Sequence, residues 1–164
     1  MTYLTTTLTD QKTNLSFQKT TVTASQNVTT TYTLVEGGQM TYTPTSASAE
    51  VMIEFSTAFA RKDPDNSTLF RVQIGDTVGT LGDVVTDNID YFSAFGGTTA
   101  SFLVNTSDVI TLKYKLAGWS GAKIIQIQCK CIAGNLESIV NANKVRSTEA
   151  DLLYNPSMIM YEVS

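Results

Sequence analysis

The stretch Glu50-Val-Met-Ile-Glu-Phe-Ser-Thr-Ala-Phe-Ala60 decides the fold of this chain. Apolar and polar side chains alternate along it, and this period of two is that of a β-strand with one buried face. The stretch therefore predicts a long strand whose apolar side packs on a core. The side chains predicted to share that face are Val51, Ile53, Phe55, Thr57 and Phe59.

The same alternation recurs along the chain, and no convincing helix separates the repeats. The segments Thr106–Leu116 and Ala122–Ala133 alternate most regularly, and Gly118-Trp-Ser-Gly121 joins them. This spacing predicts one long hairpin. About eight such segments, separated by Gly and Asn turns, favour an all-β fold, an antiparallel jelly roll or β-sandwich with extended N- and C-terminal arms.

Composition narrows the class of partner. The chain has 164 residues, a net charge of −4 and 16% charged residues, with no basic patch, so nucleic acid is not an expected partner. No apolar run approaches the ~20 residues of a membrane-spanning helix, and no secretory signal is evident, so membrane association is not expected either. Free thiols without a signal are typical of a protein folded in a reducing cytoplasm.

The two ends differ from the middle of the chain. Residues 1–27 are rich in threonine and form either an N-terminal arm or a first strand, residues 28–134 form the core, and residues 135–164 form a C-terminal arm or tail. An extended arm can pair with the sheet edge of a neighbouring subunit. The apolar C-terminal tail must dock, either on its own domain or on a partner. The residues predicted to bind a partner are Tyr3, Leu4, Phe17, Trp119, Met158, Ile159, Met160 and Tyr161.

Catalytic chemistry is not indicated. The chain contains no histidine, so the commonest general base is absent, and no phosphate-binding loop occurs. Cys129 and Cys131 share one face of a strand and fit two buried free thiols better than a metal or redox pair. We therefore expect no enzyme, no cofactor and no metal. Calcium binding stays open for two acidic loops, which carry Asp63, Asp65 and Asn66 in one and Asp83, Asp87 and Asp90 in the other.

Four stretches carry a resemblance to a known family. They are Val51-Met-Ile-Glu-Phe-Ser56, Leu69-Phe-Arg-Val-Gln-Ile-Gly75, Ser107-Asp-Val-Ile-Thr-Leu-Lys-Tyr-Lys-Leu-Ala117 and Ala122-Lys-Ile-Ile-Gln-Ile-Gln-Cys129. Their order and alternation over residues 28–134 resemble the jelly-roll domains, similar to the C1q and tumour-necrosis-factor class, of tailed-phage virion proteins.

The resemblance implies a homotrimer and one of two roles in a virion. The first is a capsid decoration (cement) protein that binds the major capsid protein on the capsid surface and is made in the host cytoplasm. The second is a tail-fibre or spike tip that binds a host-surface receptor or glycan. The short chain and the apolar segments at both ends favour decoration.

Overall fold

The computed structural model describes residues 12–61, 68–83, 89–90, 106–131, 138–143 and 152–163. These residues form thirteen β-strands and one 3-10 turn at Val78–Thr80. The strands are β1 (Lys12–Lys19), β2 (Gln26–Asn27), β3 (Thr33–Tyr42), β4 (Glu50–Arg61), β5 (Thr68–Gly75), β6 (Gly82–Asp83), β7 (Ile89–Asp90), β8 (Thr106–Ala117), β9 (Lys123–Cys131), β10 (Ser138–Val140), β11 (Ala142–Asn143), β12 (Leu152–Leu153) and β13 (Ser157–Val163).

Two antiparallel sheets carry the fold, as predicted. In the larger sheet, β4 pairs with β8 on one side and with β13 and then β10 on the other. Strand β1 lies beyond β13, β2 lies beyond β10, and β7 pairs with β8. The smaller sheet has the order β3-β9-β5-β6, and β11 and β12 form a separate two-stranded ribbon. The prediction of an all-β antiparallel sandwich is confirmed.

The core lies between the two sheets, where the alternation placed it. Val51, Ile53 and Phe55 of β4 have no exposed surface, and neither does Cys129 of β9. Cys129 and Cys131 are free thiols, and burial raises the pKa of Cys129 to about 12. Both thiols pack as small apolar groups, as the sequence indicated.

The predicted hairpin between β8 and β9 is wrong. Strand β8 pairs with β4 and β7, whereas β9 pairs with β3 and β5. The connection at Gly118–Gly121 therefore crosses from one sheet to the other. Alternation tells which side of a strand is buried, but it does not tell which strand is its neighbour. Because β8 and β9 each bury one face, they fit opposite each other across the core as well as side by side.

Trp119 closes the end of the sandwich at this crossing. Its ring meets the Tyr42 ring edge-on at 6.1 Å, and its indole N–H donates to the Tyr42 carbonyl at 3.4 Å. Gly118 is required here, since a Cβ would lie 2.7 Å from the Ala49 carbonyl oxygen. Trp119 is half-buried against the core and caps this end of the sandwich, so only part of its ring is open to a partner.

The two ends of the described chain pair with each other. Strand β13 lies between β1 and β4, so the apolar C-terminal tail docks on its own domain. Met158 and Met160 are fully buried in the core. The predicted boundaries at residues 28 and 134 stay a prediction, but segments on both sides of them contribute strands to the larger sheet.

Candidate partner-binding surface

A bulge shapes the first strand of the larger sheet. Thr13 opposes Glu162 and Ser16 opposes Met160, so Asn14 and Leu15 together face the single residue Tyr161. Asn14 adopts a positive φ of 50°, which asparagine tolerates better than most residues. An extra residue in one strand bends that strand and redirects its side chains.

The bulge is held by a buried carboxylate on β13. Glu162 accepts hydrogen bonds from the Asn14 amide at 2.8 Å, from the Thr45 main-chain N–H at 2.6 Å and from the Thr45 hydroxyl. The Tyr42 hydroxyl donates to the Asn14 carbonyl at 2.7 Å. Burial acts to raise the pKa of Glu162, but these hydrogen bonds outweigh it and lower the pKa below its usual value. The carboxylate therefore joins β1, β13 and the turn before β4.

Beyond the bulge, β1 exposes apolar side chains. Phe17 lies opposite Ile159 on the outer face of the sheet and is 60% exposed. A depression of about 300 Å³ adjoins it and is lined by Phe17, Lys19, Leu153, Tyr154, Asn155 and Ser157. Phe17 and Leu153 are both exposed along this depression. We call Phe17, Leu153 and Tyr154 the edge patch.

The middle of the same outer face carries a cluster of charged side chains around Glu54. The Tyr161 hydroxyl donates to Glu54 at 2.7 Å, and the ammonium groups of Lys12 and Lys113 lie 3.4 and 3.7 Å from the same carboxylate oxygen. Lys12 also sits 4.1 Å from the centre of the Tyr161 ring. The hydrogen bond from Tyr161 is the main cause that lowers the pKa of Glu54, with help from the two lysines. Glu54 is thus held ionised and is unsuited to act as a proton acceptor near neutral pH.

A second depression, of about 420 Å³, lies over this charged region. Its lining residues are Lys12, Glu50, Met52, Lys115, Tyr161 and Val163. Lys115 pairs with Glu50 at 2.6 Å, so the charges along its rim are matched in pairs. The outer face therefore combines a centre of paired charges with exposed apolar side chains at its margin.

The structure separates the predicted partner-binding residues into groups. Phe17 is exposed in the edge patch, and Ile159 is half-buried beside it. Tyr161 is buried under Lys12 but faces outward, and Trp119 caps the sandwich. Met158 and Met160 point into the core, so a partner meets β13 only through its outward residues. Tyr3 and Leu4 lie outside the described residues.

Sequence reasoning missed Leu152 and Leu153, which are 60% and 45% exposed. Two adjacent leucines of a strand point to opposite faces, so at least one of them is exposed unless both faces are covered. The adjacent pair Leu152-Leu153 was therefore the sequence signal that could have predicted an exposed leucine here. Lys113 and Glu54 were also not singled out, because only the register of β4 and β8 brings them together.

Neither a group of metal ligands nor a known relative points to a further function for this surface. Within the described residues, no group of three His, Cys, Asp or Glu side chains is placed to hold a metal ion, and no helix is long and apolar enough to cross a membrane. Asp63, Asp65, Asn66 and Asp87 lie outside the described residues, as do the side chains of Asp83 and Asp90. No protein-family model, no curated protein and no solved structure matches the chain.

Proposed function

We propose that this protein is a viral structural protein that decorates a tailed-phage capsid, binding the major capsid protein on the capsid surface. The edge patch carries this proposal. It exposes the apolar side chains of Phe17 and Leu153 along one depression, and contiguous exposed apolar surface marks a site of association. The matched ion pairs beside it suit an interface, because paired charges lose less on desolvation than free ones.

The strand order supports a jelly roll as the form of the sandwich. Along the chain, β3, β4, β5, β8, β9 and β13 lie alternately in the smaller and the larger sheet. Jelly rolls are built from two such sheets, and viral capsid proteins use them widely. The jelly roll and the homotrimer that the sequence resemblance implies are both part of this proposal.

Localisation on particles tests the proposal. Antibodies against the recombinant chain, applied to virions from its own source and viewed by electron microscopy, should label the capsid surface. Label at the tail tip would favour the second role, and particles without label would refute both roles.

A matched pair of variants tests the surface itself. Phe17→Ser should lower rebinding to capsids stripped of the protein by about tenfold, since a central aromatic anchor commonly contributes that much to an interface. Val78→Ser is the control, because Val78 is 59% exposed, much as Phe17 is, but lies in the 3-10 turn next to the smaller sheet. Equal rebinding of the two variants would remove the edge patch from the interface.

A receptor- or glycan-binding tip is the second candidate. A row of amide side chains crosses the outer face of the smaller sheet, where Gln126 donates to Gln39 at 2.6 Å and Gln128 donates to Gln126 at 3.2 Å. Gln126 is only 4% exposed, so the amides of Gln39 and Gln128 are the ones that can bond sugar hydroxyls. However, Arg71 and Lys130 lie 4.0 and 4.7 Å from the centre of the Tyr32 ring, which leaves that ring poorly placed to stack on a sugar. Binding of the isolated protein to host cells would favour this candidate over decoration.

A further inference from the structure

Strand β1 is an edge of the larger sheet. Among the described residues it pairs with β13 alone. A sheet edge offers main-chain donors and acceptors to any extended chain that approaches it. The residues of β1 that can pair with such a chain are those whose main-chain N–H and C=O groups point away from β13.

The direction of the main-chain groups follows from the pairing with β13. The Thr20 N–H donates to the Pro156 carbonyl at 3.0 Å, and the register continues with Gln18 opposite Met158. Antiparallel partners alternate between residues bonded to each other and residues whose main-chain groups point away. Phe17 and Lys19 therefore turn their N–H and C=O groups to the open side of β1.

These open groups coincide with the edge patch. Phe17 is 60% exposed, and the depression of about 300 Å³ lies next to it. A strand added at this edge would bond the main chain of Phe17 and Lys19 and cover the Phe17 ring. Strand addition gains affinity from the main chain and specificity from side-chain pockets, and both are present here.

The residues that lead into β1 have the properties of such a strand. The segment Met1-Thr-Tyr-Leu-Thr-Thr-Thr-Leu-Thr-Asp-Gln11 contains five threonines, which favour extended structure. In an extended chain Leu4 and Leu8 lie on one face about 13 Å apart, which is also the span from Leu15 to Lys19. The segment carries one acidic side chain and no basic one, whereas β1 carries Lys12 and Lys19.

The segment is poorly suited to fold back on its own strand. A return along β1 needs a tight turn just before Lys12, and two-residue hairpin turns favour asparagine or aspartate followed by glycine. Of these residue types, residues 1–13 contain only Asp10, which is followed by Gln11 instead of glycine. Eleven extended residues reach about 36 Å, which is ample for the edge of another copy.

We propose that residues 1–11 of one copy add as an extended strand to the open edge of β1 in a second copy, with Leu4 or Leu8 against Phe17 and Leu153. This inference rests on the self-association included in the proposed function, and in an assembled copy the capsid would meet the edge patch together with the strand added beside it. Its test uses the isolated chain without capsids, so a failure here leaves capsid binding open.

Photo-crosslinking of the full chain tests the proposal. In two separate preparations, Leu4 and Leu8 are each replaced by benzoylphenylalanine, and the purified protein is irradiated and run on a denaturing gel. At least one preparation should give a species of twice the chain mass, with the crosslink mapped by mass spectrometry to β1 or to Leu153–Tyr154. Adding Phe17→Ser should lower its yield about tenfold, as for loss of an interface anchor.

The crosslinking experiment has a control variant and several outcomes that would overturn the proposal. Val78→Ser, a change at a similarly exposed residue of the 3-10 turn, should leave the yield unchanged. A crosslink found only within single chains would show that the segment returns to its own strand and would overturn the proposal. So would double-mass crosslinks that map away from β1, the absence of crosslinks in both preparations, or an unchanged yield in Phe17→Ser.

Discussion

Asn141 is the residue whose replacement tests the packing of this sandwich most directly. It has no exposed surface and a positive φ of 64°, and it lies between β10 and β11. Its main-chain N–H donates to Ala58 at 2.8 Å, and its carbonyl accepts from the Tyr154 N–H at 2.9 Å. Its side chain accepts from the Thr57 hydroxyl at 2.7 Å and donates to the Glu36 carbonyl at 3.1 Å. One side chain thus joins segments from both sheets.

The cost of Asn141→Ala follows from these contacts. Two side-chain hydrogen bonds are lost, at about 1 kcal/mol each. The left-handed backbone adds about 1 kcal/mol, because alanine tolerates that conformation less well than asparagine. The expected loss in free energy of unfolding is therefore about 3 kcal/mol. Asn141→Gly loses the same hydrogen bonds without the backbone strain, so it should cost about 1 kcal/mol less.

Urea unfolding monitored by fluorescence measures both variants, and Trp119 is the only tryptophan of the chain. With a denaturant slope of about 2 kcal/mol/M, Asn141→Ala should lower the midpoint by about 1.5 M. Thr30→Ala, at an exposed loop residue, is the control and should stay within about 0.5 kcal/mol of the wild type. A loss below about 1 kcal/mol for Asn141→Ala, or a glycine variant less stable than the alanine variant, would refute the reasoning.

Two further predictions concern β13. Because hydrogen bonds lower the pKa of Glu162 in the folded state, its contribution to stability is present above pH 4.5 and is lost as the pH falls through the folded pKa. Glu162→Gln should cost about 1–3 kcal/mol at pH 7 in urea unfolding and should flatten the loss of stability on acidification; an unchanged acid profile would contradict this. Met160→Ala should cost about 2–4 kcal/mol, more than Ile159→Ala on the outer side of the same strand, and equal costs would argue against the docking of β13 in the core.

The ion pairs at the centre of the outer face contribute less to the free energy of unfolding than these buried groups do. Lys12 and Lys113 keep about half of their side-chain surface in solvent, at 53% each, and Glu54 keeps 17%. Exposed ion pairs contribute little to stability because water and salt screen them. Their arrangement therefore bears on what the face can meet rather than on whether the chain folds.

Much of the fold could be predicted from particular segments. The alternation of Glu50–Ala60 predicted a strand that the structure extends only to Arg61, and it identified the buried face correctly. The segments around β8 and β9 were also placed within a few residues. Their pairing was wrong, because neighbours in the sequence joined by a short glycine-bearing turn need not be neighbours in a sheet.

The candidate surface was predictable only in part. Phe17 was among the predicted partner-binding residues, and the structure exposes it in the edge patch. Met158 and Met160 were assigned to the same surface because they lie near the end of the sequence, but the space between the sheets accommodates them. The link between Glu54, Lys113 and Tyr161 could not be seen, since it depends on the registers of β4 with β8 and with β13.

The sequence by itself determined the kind of structure. Its period of two specifies strands, and its apolar positions specify the buried face of each, because these properties follow from local backbone geometry. Only the tertiary structure decided which strands lie next to each other in the sheets. Which strands share a sheet depends on long-range packing and on loop paths, and those choices placed β13 between β1 and β4, aligned the ion pairs and gave β1 a single neighbour among the described strands.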